Sequence, residues 1–225
     1  FLDIKAGLRN DIFDIRNIKS SNVIDEYDKT SLTNDFMSLF ADGRTDTFDD
    51  GYFPTKGVNA GLSYAWTFAG IPEMINNFHT LQADAKLVVP GGDGFTFIPS
   101  FYCRFLMGKE IPLAYFNAIG GSLPGRFVDQ QVPFIGLTNL VAMKNIMTMF
   151  RTDFRFEVAR NHYVTGTINY VRDAETFRQF GEGMGNFGAG VEYSYDTIFG
   201  PISANVHWSD FTGKVGLYLS AGFNF

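Results

Sequence analysis

The sequence predicts an all-β chain: a transmembrane antiparallel β-barrel with about ten strands and one long loop folded into its lumen. Three observations predict it. Apolar and polar residues alternate with period two along most of the 225 residues, which is the periodicity of strands. The alternating segments run to ten or more residues, matching the roughly 9–11 that cross a tilted bilayer, whereas soluble strands usually run about 5–6. The face opposite the apolar one carries small residues and charges of both signs, as in Arg151, Asp153, Arg155 and Glu157. A lumen accommodates such charges because they find partners across the wall.

Composition agrees. There are 25 phenylalanines, 10 tyrosines and 24 glycines, and an aromatic share of 16% favours strands over helices. The length suits one domain, residues 1–225. A net charge of −6 without a basic patch gives no electrostatic reason to expect nucleic acid. One cysteine, Cys103, excludes an internal disulfide and a thiolate metal cluster. No apolar run of about 18 residues is present to form a membrane helix. The chain opens on FLDIKAGLRND, already in strand pattern and without a signal peptide. An outer-membrane protein needs one, so the expectation is that the parent protein starts upstream.

The elements follow in order. The first strand sets Leu2, Ile4, Ala6 and Leu8 against Asp3, Lys5 and Arg9, and a polar loop lies near Lys19 to Lys29. Thr30 to Asp46 is strand-like, with mixed faces that the pattern does not assign. FDDGYFPTKG, Phe48 to Gly57, makes a turn. Val58, Leu62, Tyr64 and Trp66 then oppose Asn59, Gly61, Ser63 and Thr67. Leu81, Leu87 and Val89 oppose Thr80, Gln82, Asp84 and Lys86. PGGDG turns the chain, and Phe97, Phe101, Cys103 and Phe105 oppose Thr96, Tyr102 and Arg104.

Residues 108–144 interrupt the strands. This stretch is rich in Gly and Pro yet carries Phe116, Ile119, Phe127, Val132, Phe134, Ile135 and Leu137. So long a connection is functional or disordered, and its apolar content argues against disorder. It is expected to fold back into the barrel.

After it, Phe150, Phe154 and Phe156 oppose Arg151, Asp153 and Arg155, and Val164, Ile168 and Tyr170 oppose Thr165, Thr167 and Asn169. A Gly-rich loop spans about Arg172 to Gly185. Phe187, Val191 and Tyr193 oppose Gly188, Gly190 and Glu192; IFGP turns; Ile202, Val206 and Trp208 oppose Ser203, Asn205 and His207. The last strand places Leu217, Leu219, Ala221, Phe223 and Phe225 on one parity. Short turns alternate with longer loops, the periplasmic/extracellular asymmetry of outer-membrane barrels. The terminal Leu219, Ala221, Phe223 and Phe225 resemble the strand signal that barrel-assembly machinery reads.

Four segments in order resemble the outer-membrane assembly-factor superfamily, which holds the barrel-assembly factor, two-partner secretion transporters and patatin-type autotransporters (surface antigen type). They are YFPTKG (Tyr52–Gly57), GKEIPLAYFNAIGGS (Gly108–Ser122), NIMTMFRTDF (Asn145–Phe154) and FGPISANVHW (Phe199–Trp208). GGSLPGRFVDQQVPF looks most like the barrel of patatin-like phospholipases of Bacteroidetes. The resemblance implies a sixteen-stranded parent barrel of which ten strands are present here; ten strands closing alone is the competing reading. It further implies that the 108–144 loop enters the lumen. The family's tip is typically [V/I]-R-G-[F/Y], whereas this chain has Gly125-Arg126-Phe127, with glycine before the arginine. By resemblance Arg126 pairs with an inner-wall acid. Asp153 is the expected partner, and Asn169 stands at the family's second acidic position.

The function implied is an outer-membrane barrel in a Gram-negative bacterium that inserts or translocates polypeptide or anchors an N-terminal domain. The expected partners are outer-membrane lipid, the barrel-assembly machinery, and a client polypeptide or the protein's own N-terminal domain. One alternative is a purely structural anchor for a patatin-type lipase. Another, less favoured, is a barrel lipid hydrolase using His207, with Ser203, Asn205 and Ser209 on its face. No G-x-S-x-G elbow is present; Gly61-Leu62-Ser63-Tyr64-Ala65 is a near miss inside a strand. The chain is therefore not expected to be an enzyme. Three scattered histidines make no metal site, and no cofactor is implied.

Overall fold

The computed structural model describes residues 2–15, 32–71, 77–109, 111–121 and 130–222. Five long strands come first: β1 (Leu2–Ile15), β2 (Leu32–Asp46), β3 (Gly57–Ile71), β4 (Phe78–Gly92) and β5 (Phe95–Gly108). A loop follows that contains a 3₁₀ turn (Leu113–Tyr115) and the short strands β6 (Asn117–Gly120), β7 (Gln131–Pro133) and β8 (Val141–Met143). Then come β9 (Ile146–Ala159), β10 (His162–Ala174), a six-residue helix α1 (Phe177–Glu182), β11 (Asn186–Thr197), β12 (Gly200–Ser209) and β13 (Val215–Ala221). The ten long strands form one antiparallel sheet in the order β1-β2-β3-β4-β5-β9-β10-β11-β12-β13. Its edges are β1 and β13, and no pairing between them closes the sheet among the described residues.

Burial gives the alternation its direction. On β9 the outward Phe150, Phe156 and Val158 are exposed, whereas Met147, Met149, Asp153 and Arg155 are buried. On β1 the outward Leu2, Ile4, Leu8 and Ile12 are each about two-thirds exposed or more. Leaving one such side chain in water forfeits about 1.5–3 kcal/mol, and the pattern repeats on every long strand. An apolar outer belt around a polar interior is the inverted arrangement of a membrane barrel. No described helix is long and apolar enough to cross a membrane.

The faces of β2 become assignable. Met37 and Leu39 point outward and are exposed, while Phe36 and Ser38 are fully buried. The sequence pattern was ambiguous because Phe36 is an apolar residue on the inner face. It packs on the loop, with its ring 5.2 Å from that of Tyr115.

The connections alternate in length. At one end lie the hairpin at Asp93–Gly94, the tight turn at Arg160–Asn161, the Ile198–Phe199 turn and the longer Thr47–Lys56 turn. At the other end lie the 109–145 loop, the stretch containing α1 and the Asp210–Lys214 turn. The sequence reading of a plain Gly-rich loop after Arg172 is revised there. β10 continues to Ala174, and α1 follows, capped by the Thr176 hydroxyl accepting from the Gln179 amide.

Candidate functional site

The described residues of the loop between β5 and β9 pack on the inner face of the sheet. Its three short strands make a small sheet of their own, with β6 central, β7 parallel to it and β8 antiparallel. Two apolar clusters seat it. In the first, Ile119, Val132, Phe134, Leu137 and Met143 of the loop pack on Tyr102, Met147, Met149 and Val171 of the wall. In the second, Ile111 and Tyr115 pack on Phe36, Phe78 and Leu106. The sequence suggested a polar lumen; the wall beneath the loop is apolar instead. A loop that must stay inside needs the same desolvated contact that holds any core together.

The root of the loop is fixed by a polar network. Arg104 of β5 is buried, and its cross-strand neighbours are Gln82 and Met147, so no wall carboxylate stands beside it. Its Nη1 donates instead to the Tyr115 carbonyl at 2.7 Å and to Asn117 Oδ1 at 2.9 Å. Asn117, fully buried, donates from Nδ2 to the carbonyls of Lys144 at 2.7 Å and Asn145 at 3.1 Å, pinning the two ends of the loop together. Gln130 Nε2 donates to the Ala114 carbonyl at 2.8 Å. The Tyr115 hydroxyl donates to Asp11 on β1 at 3.0 Å. Burial first, and the Asp11 carboxylate second, push that hydroxyl above the usual tyrosine range.

Farther along, the loop backbone lies directly on the wall. A Cβ at Gly188 would stand 2.4 Å from the Ile135 carbonyl oxygen. Gly136, at φ +94°, would meet Ser209 Cβ at 2.6 Å. Ser209, fully buried, donates from its hydroxyl to the Gly136 carbonyl at 2.9 Å. Glycine on both sides lets two backbones approach this closely.

The residues singled out from the sequence fall as follows. The tip Gly125-Arg126-Phe127 lies outside the described residues, and so does its pairing with Asp153. Asp153 faces the lumen from β9, and its Oδ1 accepts from Arg151 Nη2 at 2.9 Å and from Thr167 Oγ1 at 2.5 Å. Asn169 is fully buried on β10, and its Nδ2 reaches the Pro133 carbonyl of the loop at 3.5 Å. Leu219 points outward and is exposed, on the same parity as Ala221; Phe223 and Phe225 lie outside the described residues. Cys103 sits on the outward parity yet is buried.

His207 Nδ1 lies 2.7 Å from Asn205 Oδ1, while Ser203 pairs with Ser220 and Ser209 holds the loop. The geometry thus gives His207 an amide partner rather than a serine. Among the described residues no three His, Cys, Asp or Glu side chains gather as a metal site. The loop-holding roles of Arg104, Asn117 and Ser209 were missed from the sequence, which placed Arg104 on the polar face and Ser209 beside His207. The one available signal was Arg104, a lumen-parity arginine without an acidic neighbour across either adjacent strand.

The chain thus has an apolar belt outside, an inner wall that is apolar beneath the loop and charged around Arg151, Asp153 and Arg155, and a loop rooted between the fifth and sixth wall strands. The family model for the OMP85 superfamily matches residues 2–225. The chain belongs to the OMP85 superfamily. No curated protein matches it. OMP85 superfamily members are outer-membrane proteins of Gram-negative bacteria, and membership makes this chain an outer-membrane β-barrel of the assembly and translocation type.

Proposed function

We propose that the chain forms the wall and plug of a polypeptide conduit or insertion site, with the loop as the element that closes the lumen at rest. The observation that carries this reading is the loop's core-like seat: Ile119 and Phe134 are fully buried against wall residues. An inert anchor needs only an apolar outer surface. A lumen filled by the chain's own segment supplies a closed state that a client can bias. Arg126 is the tip residue of that latch and Asp153 its partner on the wall. The partners are outer-membrane lipid, the barrel-assembly machinery acting on the C-terminal strand, and a client polypeptide or the protein's own N-terminal domain. The chain itself performs no catalysis in this reading.

A second reading is a structural anchor for an N-terminal patatin-type lipase, the subtype suggested by GGSLPGRFVDQQVPF. That resemblance is what favours it, since an anchor needs only the apolar outer surface that both readings share. One experiment separates the two. The full-length protein in liposomes is assayed for accelerated insertion of an unfolded outer-membrane barrel and for export of its own upstream segment. Acceleration supports the conduit; rates equal to empty liposomes, with the protein folded by heat-modifiability, leave the anchor.

A further inference from the structure

The Thr47–Lys56 turn at the short-turn end reaches across the lumen. It leaves β2 and returns to β3, yet it is held by β9 and β10, which are separated from β3 in the sheet by β4 and β5. Arg155 of β9, buried, donates from Nη2 to the Pro54 carbonyl. Phe53 stacks on Tyr163 of β10 with ring centroids 4.0 Å apart and planes 9° from parallel. The Arg155 guanidinium lies 5.7 Å from both ring centroids, within the range of cation–π attraction. Lys86 of β4 approaches the Phe48 ring at 5.7 Å.

The turn arrives with its shape already set. Asp49 Oδ1 accepts from the Thr55 amide at 2.8 Å and its Oδ2 from the Thr55 hydroxyl at 2.6 Å. Asp50 Oδ1 accepts from the amides of Tyr52 and Phe53 at 2.8 and 2.7 Å. The turn is therefore a preformed body docked through contacts that include a guanidinium–carbonyl bond, a ring stack and the cation–π contacts of Arg155 and Lys86. Between it and the loop lies a cavity of about 650 Å³, lined by Phe48 and Phe53 from the turn and by Val132 and Pro133 from the loop. The lumen thus has two closures on either side of a chamber, each with its own residues on β9 and β10: Met147, Met149 and Val171 under the loop, Arg155 and Tyr163 under the turn.

We propose that the Thr47–Lys56 turn is a gate at the short-turn mouth, periplasmic by the length asymmetry of such barrels, locked by Arg155 and Phe53 independently of the loop. The proposal goes beyond the conduit reading and needs only that the strands span the membrane. Its contacts suit a gate: the loop is held by two apolar clusters, whereas the turn is held by polar and ring contacts centred on Arg155 and Phe53. Arg155 has a reason to release only when another acceptor or a client's polar backbone replaces Pro54, since a buried guanidinium keeps a partner.

The test uses the full protein in oriented proteoliposomes. Ser100→Cys places a thiol on the chamber wall in a Cys103→Ala background, and a membrane-impermeant maleimide is added from the short-turn side. Arg155→Gln or Phe53→Ala is expected to raise the labelling rate at least tenfold, with labelling from the long-loop side changed less than twofold. Rates within twofold of the parent for both variants, each folded by heat-modifiability, would overturn the gate. If Arg155→Gln does not fold, Phe53→Ala decides alone, because it removes a turn ring and leaves the wall intact.

Discussion

Arg104 on the wall and Asn117 in the loop bond reciprocally: Arg104 Nη1 donates to Asn117 Oδ1 at 2.9 Å, and Asn117 Nδ2 donates back to the Arg104 carbonyl at 3.3 Å. Both residues are buried. The pair joins a charge that no wall carboxylate neutralises to the amide that also ties the Lys144 and Asn145 carbonyls. This junction holds the root of the loop together with the Tyr115 hydroxyl on Asp11 and the Lys144 amide on Asp173.

Asn117→Ala removes four hydrogen bonds to or from that amide and leaves Arg104 with the Tyr115 carbonyl. Leaving a buried charged donor short of an acceptor costs about 2–3 kcal/mol. The expected outcome is a lower heat-modifiability midpoint and faster protease cleavage within 108–144. An unchanged midpoint would show that the root is not anchored there.

The docking of the loop on β11 and β12 predicts a graded series. Ser209→Ala deletes one hydrogen bond and is expected to cost about 1 kcal/mol. Gly188→Ala drives a methyl against the Ile135 carbonyl, a backbone atom that cannot swing away, and is expected to cost about 1–3 kcal/mol. Urea unfolding in detergent checks the order, and a Gly188→Ala protein as stable as the parent would refute close docking.

The proposed pairing of Arg126 with Asp153 predicts coupling. Arg126→Ala and Asp153→Ala, combined in a double-mutant cycle on the unfolding midpoint, are expected to deviate from additivity by about 1 kcal/mol or more. Additive effects exclude the pair. Asp153 already accepts from Arg151 and Thr167, so its single variant is expected to be the more damaging of the two.

Acid is expected to act late on the Thr47–Lys56 turn. The Thr55 hydroxyl, with the Thr55 and Lys56 amides, holds the Asp49 carboxyl down at about 2 against an ordinary 3.8. With the folded value below the unfolded one, the turn's stabilisation by Asp49 is complete above 3.8 and is lost as pH falls through about 2. The Thr55 amide resonance, followed by NMR in micelles, is expected to titrate near pH 2. A midpoint near 4 would mean the carboxylate is not held.

Much of the wall was legible because period-two alternation is a local property, set residue by residue. Phe150 and Asp153 declare opposite faces wherever the strand sits. The β2 segment resisted because Phe36 is apolar and inward, and alternation cannot separate lipid from a plugging loop as the apolar neighbour. The Thr47–Lys56 stretch read as a plain turn, since nothing local in FDDGYFPTKG shows that Arg155, 101 positions away from Pro54, takes its carbonyl.

By itself, then, the sequence determined an inside-out strand pattern, its alternating connections and the one long insert, because strand pitch and bilayer thickness act on short windows of chain. Only the tertiary structure decided what fills the lumen and how. Arg104 finds the Asn117 amide oxygen, and Ser209 and Arg155 find the Gly136 and Pro54 backbone carbonyls, because the folded sheet brings loop and turn acceptors within reach of buried wall donors.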